Sequence, residues 1–453
     1  MRGDDARTKP ASYAEAIKLA WPASLASMAT PLLGLVDVWA LARSDRPLDI
    51  AAVGLAGVIF SLAYWAFGFI RMSVAGLAAQ AHGAGDEAET RTALARGLII
   101  GASLGTLLLV LQWPIGFFAF RALAIGSAAS TDTFAAAETY FAIRIWGAPF
   151  AIATYALFGW LTARGRTDYL MAASLGLTLV NIVLDYWFVV GLNWGAGGVA
   201  AGTLVAEIVG FVISGVLALR IMQSSGGVRA HWSMDRLWER QALSRTLSVN
   251  LDIFIRTFLL AICFSWFVQR GGAFGDVTLA ANQALLQLFL FTGLALDGTA
   301  IAAETLVGQA LGDPDKARGK TRFIAAVKAT SAPALIAALV FTAAYALGGE
   351  TLIGQLTPAG PIRDAAVRYL PWVAASPILL LVAFQLDGIF IGATRSREMR
   401  NSMIVCAFVL LPSSVFLADA FGNHGLWLAF SLYFVLRGAT LGAYMPRILR
   451  SLG

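Results

Sequence analysis

Twelve stretches of this chain run apolar for the length of a membrane crossing, and that pattern decides its fold class before any motif is considered. A helix needs about 20 residues to span the hydrocarbon core of a bilayer. The runs lie near 16–41, 50–79, 97–119, 137–160, 169–190 and 197–219, then 246–268, 278–309, 323–347, 368–392, 401–420 and 425–446. Only 13% of the residues are charged and 58% are hydrophobic, whereas soluble proteins carry about 25% charged residues. The chain therefore reads as an all-α polytopic membrane protein. Its opening segment holds no short apolar core followed by a small-residue cleavage site, so no removable signal peptide is expected.

Lys and Arg in the connections set the orientation. With the N-terminus placed in the cytoplasm, the inside segments hold 21 basic residues, among them Arg2, Arg7, Arg91, Arg164, Arg236 and Arg400. The outside segments hold six: Arg43, Arg46, Arg121, Arg270, Arg363 and Arg368. Both termini are thus expected in the cytoplasm. The formal net charge of +6 is a topology signal and asks for no nucleic-acid partner. Cys263 and Cys406 sit in separate apolar runs, and His82, His231 and His424 are scattered, so neither a metal site nor a cofactor is expected. No HExxH or Ser–His pair is present, which argues against a membrane enzyme.

A repeat underlies the twelve runs. The segment "LAAQAHGAGDEA" at 77–88 matches "LVGQALGDPDKA" at 306–317, an offset of 229 residues. The same offset pairs Gly159, Arg166 and Thr167 with Gly388, Arg395 and Ser396. The chain divides accordingly into an N-terminal lobe (1–221), a cytoplasmic linker (222–245) and a C-terminal lobe (246–453), with six spans in each lobe. An even number of spans per half makes the repeats parallel, as in two-lobed alternating-access carriers. A passive channel leaves the duplication less well explained.

A carboxylate at the bilayer centre costs about 3 kcal/mol on insertion scales, so charged groups inside the runs are the next constraint. Asp37 lies about a turn below the outer face, near the end of the first span. Asn181 and Asp185 share one face of the fifth span at i, i+4 spacing, in its outer half. Thr203 of the sixth span comes at similar depth, with Glu207 one turn deeper, and Arg144 of the fourth also falls in the outer part. Polar groups of four spans at one level suit an ion-binding pocket open to the outside. In the second half Asp252, Arg256, Asp297, Glu304 and Asp387 fall at cytoplasmic depth. Asp252 and Arg256 are one turn apart and could simply neutralise each other. This group reads either as a structural polar network or as substrate contacts.

Removal from water favours the neutral form of a carboxylate, and a second carboxylate nearby favours it further. A pair such as Asp37 and Asp185 is suited to take up a proton and lose it when the pocket changes. Pro22 and Pro31 interrupt the first span, and either can bend it, because proline lacks an N–H and clashes with the preceding turn.

Together these features resemble the multidrug and toxic compound extrusion (MATE) family, most closely its DinF-like bacterial branch. The resemblance rests on "LAWPASLASMATPLLGLVDVWALA", "GLAAQAHGAGD", "NIVLDYWFVVGLNWGAGGVAAGT", "NLDIFIRT" and "FQLDGIFIGATRSREMRNSM". It implies the MATE fold, with two pseudo-symmetric six-helix lobes around a central cavity. It also implies an antiporter, expected to be a monomer in the bacterial inner membrane, that expels small organic compounds against inward flow of H⁺ or Na⁺. The resemblance makes Asp37, Asn181, Asp185 and Thr203 the cation or proton site and favours Pro22 over Pro31 as hinge. Leu33 stands where some relatives carry a tyrosine. Asp387 in "LDGIFIGATR" fits the DinF-like pattern better than that of the sodium-coupled branch, which favours H⁺, with Na⁺ as the alternative. Lipophilic, often cationic compounds are the expected substrates. The rival within the superfamily is a flippase of lipid-linked precursors, whose cavity carries several cationic residues. In the first lobe only Arg71 and Arg144 lie well inside spans.

Overall fold

The computed structural model describes residues 9–43, 47–125, 129–357 and 359–452, so the topology residues Arg2, Arg7 and Arg46 lie outside it. Among the described residues twelve helices are long and apolar enough to cross a membrane. They are α1 (Tyr13–Leu41), α2 (Leu48–Gly83), α3 (Glu87–Val110), α4 (Thr131–Ala163), α5 (Thr167–Gly191) and α6 (Gly195–Ser224). There follow α7 (Arg240–Gly272), α8 (Asp276–Leu311), α9 (Lys316–Leu356), α10 (Pro361–Gly392), α11 (Ser396–Phe421) and α12 (Asn423–Arg450).

Each expected run corresponds to one of these helices, but most helices extend past the apolar run because their first turns are polar. Before α9, for example, the Asp315 carboxylate accepts from the amides of Ala317 and Arg318, capping the helix ahead of its apolar part. The largest difference is at α3, which begins at Glu87 and stops at Val110. The rest of that run forms a separate helix, Gln112–Ala124, with Pro114 in its first turn, where the missing N–H does least harm.

Three spanning helices are not regular throughout. Among these, α2 is interrupted at Gly68, and α5 widens to a π-helix over Tyr186–Gly191. In α4 a 3₁₀ turn, Ile145–Gly147, separates two α-helical parts. Pro149 accounts for that last break, since it has no N–H to donate to the Ile145 carbonyl.

The chain packs as two compact units. One comprises the described residues through Ser27, Ala79–Asp86 and the chain from Leu247 onward; the other comprises Met28–Ala78 and Glu87–Thr246. Helix α1 thus gives its first half to one unit and its second half to the other. In the first of these units Ser24 Oγ donates to the Ala295 carbonyl and Ser27 Oγ to Asp297 Oδ2, both at 2.8 Å.

The 229-residue offset recurs in three dimensions. Gly159 of α4 lies against the Arg71 carbonyl of α2, and Gly388 of α10 lies against the Ala300 carbonyl of α8. These positions are equivalent, since 159 + 229 = 388 and 71 + 229 = 300. At either glycine an added Cβ would come closer to the facing backbone than real Cβ atoms do. Small residues are what permit such close helix crossings in a membrane.

The stretch expected to be a polar linker is folded against α3. The Arg91 guanidinium is fully buried and donates to the carbonyls of Met222, Ser225, Gly227, Val228 and Ala230, while its Nε contacts Glu87. Arg164 binds Glu87 and Ser225 Oγ, and Arg96 binds the carbonyls of Arg236 and Leu237. One guanidinium thereby satisfies the backbone of an irregular segment that has no ladder of its own. Arg91→Ala would strand several of these carbonyls. It is expected to lower stability by about 3 kcal/mol or more, read as an earlier unfolding midpoint in detergent and faster trypsin cleavage at Arg229.

In the turn between α8 and α9, Asp313 accepts from Arg318 at 2.7 and 2.8 Å and from Arg322 at 3.0 Å. These hydrogen bonds hold its carboxyl down at about 2. Its contribution to stability is therefore present at neutral pH and is lost only as the pH falls through that value.

Candidate cation site

Asp37, Asn181, Asp185 and Thr203 come from α1, α5 and α6 and meet inside one unit. Asn181 and Asp185 are 0% exposed, Thr203 3% and Asp37 6%. The approach of α5 to α6 depends on glycines at 198, 202 and 210, spaced along one face of α6. A Cβ at Gly210 would lie 2.5 Å from Leu177 Cδ1, one at Gly198 3.2 Å from the Phe188 carbonyl carbon, and one at Gly202 would overlap Asp185 Oδ1. The Asp185 carboxyl group therefore rests on the bare backbone of α6. Asp185 is also the last α-helical residue before the π-helix of α5, a widening that is frequent at functional sites.

Asn181 Nδ2 donates to Thr203 Oγ1 at 3.3 Å. The Asp37 and Asp185 side chains are neighbours, and each is within reach of Asn181. Among the described residues no donor meets Asp37 Oδ1, Asn181 Oδ1 or either oxygen of Asp185. Buried oxygens of this kind are stable only if something outside the protein's own donors, a proton or a cation, satisfies them. No group of three His, Cys, Asp or Glu side chains suited to a metal ion occurs among the described residues.

Beside this quartet stands a pair that reading by depth had noted without connecting. Arg144 Nη2 lies 3.7 Å from Glu207 Oε1, and its Nη1 donates to the Tyr140 hydroxyl at 2.6 Å. Its guanidinium carbon sits 4.6 Å from the Phe60 ring centre, 5.6 Å from that of Tyr140 and 5.8 Å from that of Tyr64. Gly147, in the 3₁₀ break of α4, makes room for Glu207, because a Cβ there would overlap Oε2. The signals in the sequence were the i, i+4 spacings Tyr140–Arg144 and Thr203–Glu207 and the "IWGAP" break at 145–149.

The charged residues of the second half fall in the other unit and pair differently from the expectation. Arg256 does not neutralise Asp252, although they are one turn apart. Arg256 and Arg437 both bind Asp387 Oδ2, while Asp252 takes Ser396 Oγ at 2.9 Å and Arg400. The reason is directional: the facing helices α10 and α11 offer each residue a partner across the interface, which spacing along α7 cannot reveal. Arg437 was not singled out from sequence. Asp297 accepts from Ser27, and Glu304 is buried in α8. Pro22 is buried and Pro31 exposed, and α1 is helical through both.

Comparison with known proteins agrees with this architecture. The MatE family model matches twice, over residues 22–187 and 250–416, one match in each repeat. The chain is similar to the DNA damage-inducible protein F of Escherichia coli, with 35% identity over 95% of this chain and 91% of that protein. It is also similar to the multidrug resistance protein PmpM of Pseudomonas aeruginosa, with 28% identity over 92% and 87% of the two chains. Crystal structures of a MATE protein in its bent and straight conformations superpose with TM-scores of 0.84 and 0.85 at 18% identity. They cover 97% and 100% of this chain and 95% and 99% of theirs. The chain belongs to the MatE family of multidrug efflux transporters and is not an enzyme.

Proposed function

We propose that this transporter is a cation-coupled antiporter that uses H⁺ to drive the export of lipophilic, often cationic, organic compounds by alternating access. The observation that carries the reading is the neighbouring pair Asp37 and Asp185, buried, with three carboxylate oxygens that no donor among the described residues satisfies. Two acids in this setting share protons more readily than they share a full double negative charge. In the proposed cycle the pair takes a proton from outside, and Asn181 and Thr203 orient the carboxyl groups. Bending of α1 at Pro22 follows the change in charge, because proline leaves a turn of the helix without its hydrogen bond. Both termini face the cytoplasm of a bacterial inner membrane in this scheme, following the basic connections.

The test is transport by proteoliposomes with one gradient imposed at a time. Efflux of a fluorescent organic cation is expected under a pH gradient alone and absent under a Na⁺ gradient alone. The reverse result assigns Na⁺ to the site and overturns the proton reading.

A further inference from the structure

The proposed proton site leaves unused a buried ion pair one helical turn away. Glu207 is 7% exposed, its Oε2 meets no donor among the described residues, and its only salt-bridging group there, Arg144, stops at 3.7 Å from Oε1. Among the described residues Arg144 Nε is likewise without a partner, and the guanidinium is held by one hydrogen bond to the Tyr140 hydroxyl and by the rings of Phe60, Tyr64 and Tyr140. It sits at the C-terminal end of the first half of α4, where the helix breaks into a 3₁₀ turn. An arginine cradled by aromatic faces and loosely paired is less tied to one acid than a bidentate one would be. Its charge acts on Asp37 of α1, Tyr64 of α2, Asp185 of α5 and Glu207 of α6, and on Tyr140 and Tyr155 of α4 itself.

We propose that Glu207, with the rings around it, is the anchor for a monovalent organic cation, and that Arg144 is a tethered cation that vacates it only when the Asp37–Asp185 pair has lost its proton. The inference rests on the proton reading above. With a proton on the aspartates, Arg144 stays on Glu207 and the anchor is closed. When that proton leaves to water, the guanidinium moves to the aspartates, and the substrate cation replaces it on Glu207. One positive charge has left the site and one has entered, so charge within the low-dielectric pocket is unchanged. A carboxylate framed by aromatic faces is also the chemistry that recognises organic cations.

The test is binding of tetraphenylphosphonium to the purified transporter over a pH series. Wild-type protein is expected to bind more tightly as pH rises. The isosteric Glu207→Gln should weaken binding about tenfold or more at high pH, since it removes the opposing charge. Arg144→Gln should do the opposite, binding tightly even at low pH, and Arg144→Lys should fall between. A misfolded site would weaken binding in every variant, so the opposite signs separate the proposal from damage. Unchanged affinity in Glu207→Gln, or an intact pH dependence in Arg144→Gln, overturns it. Asp37→Asn serves as the separate check on the parent reading: it should lose the pH dependence, and if it does not, the aspartates are not the proton site whatever Arg144 does.

Discussion

Asp37→Asn is expected to insert and fold normally yet to reduce proton-driven efflux from everted vesicles to background, a loss of at least about a hundredfold. Asparagine has nearly the shape of a protonated aspartate but cannot release a proton, so the variant is fixed in the loaded state. Asp185→Asn should behave alike, because neither Asp185 oxygen has a donor among the described residues that an amide would disturb. The same argument sets the sign of the stability change. A buried pair of carboxyl groups is costly to keep in a low-dielectric setting, and a neutral isostere relieves that strain. The unfolding midpoint of both variants in detergent should therefore be equal to or above that of the unaltered protein while transport is lost. Undiminished transport in Asp37→Asn would sink the coupling assignment.

Gly202→Ala is expected to be nearly as severe, without touching a charged group. The added methyl carbon would overlap Asp185 Oδ1 and come 3.3 Å from the Asp185 amide nitrogen, so the short carboxyl side chain has little room to yield. Either α5 and α6 separate or the carboxyl group turns away from Asp37. A displacement of about 1 Å at a functional group costs on the order of a hundredfold in rate. Gly215→Ala in the same helix is the control, since nothing lies within 4 Å of a Cβ there. On helix propensity alone both changes should stabilise by up to about 1 kcal/mol. Transport that falls in Gly202→Ala and holds in Gly215→Ala places the effect in the α5–α6 contact. Equal rates in the two would refute it.

The candidate quartet was legible because each member is exceptional in its own segment. A carboxylate in "GLVDVWALA" or a polar pair in "NIVLDYW" stands out against apolar neighbours, and depth follows from counting residues along a helix of known rise. Arg144 and Glu207 were equally visible as charges, but nothing along the chain said that they face each other. That pairing depends on the break before Pro149 and on the missing Cβ of Gly147, which let α4 and α6 close on each other. The expectation for Asp252 and Arg256 failed for the complementary reason. Their spacing along α7 is right for a pair, yet Ser396, Arg400 and Asp387 approach from other helices and take up their side chains.

What the chain carries in its sequence alone is the number of crossings, the repeat at 229 residues and the resemblance to its family. All three are properties of linear order: apolar length is set by bilayer thickness, and a duplication survives as recurring spacing. The arrangement of the polar groups is not linear. Tertiary structure decided that residues 222–237 lie on α3 through Arg91 and Arg96, that Asp387 holds two arginines, and that Arg144 pairs with Glu207. Each of those contacts joins segments far apart in sequence, and the last depends on the break before Pro149 and the missing Cβ of Gly147, which make room for Glu207.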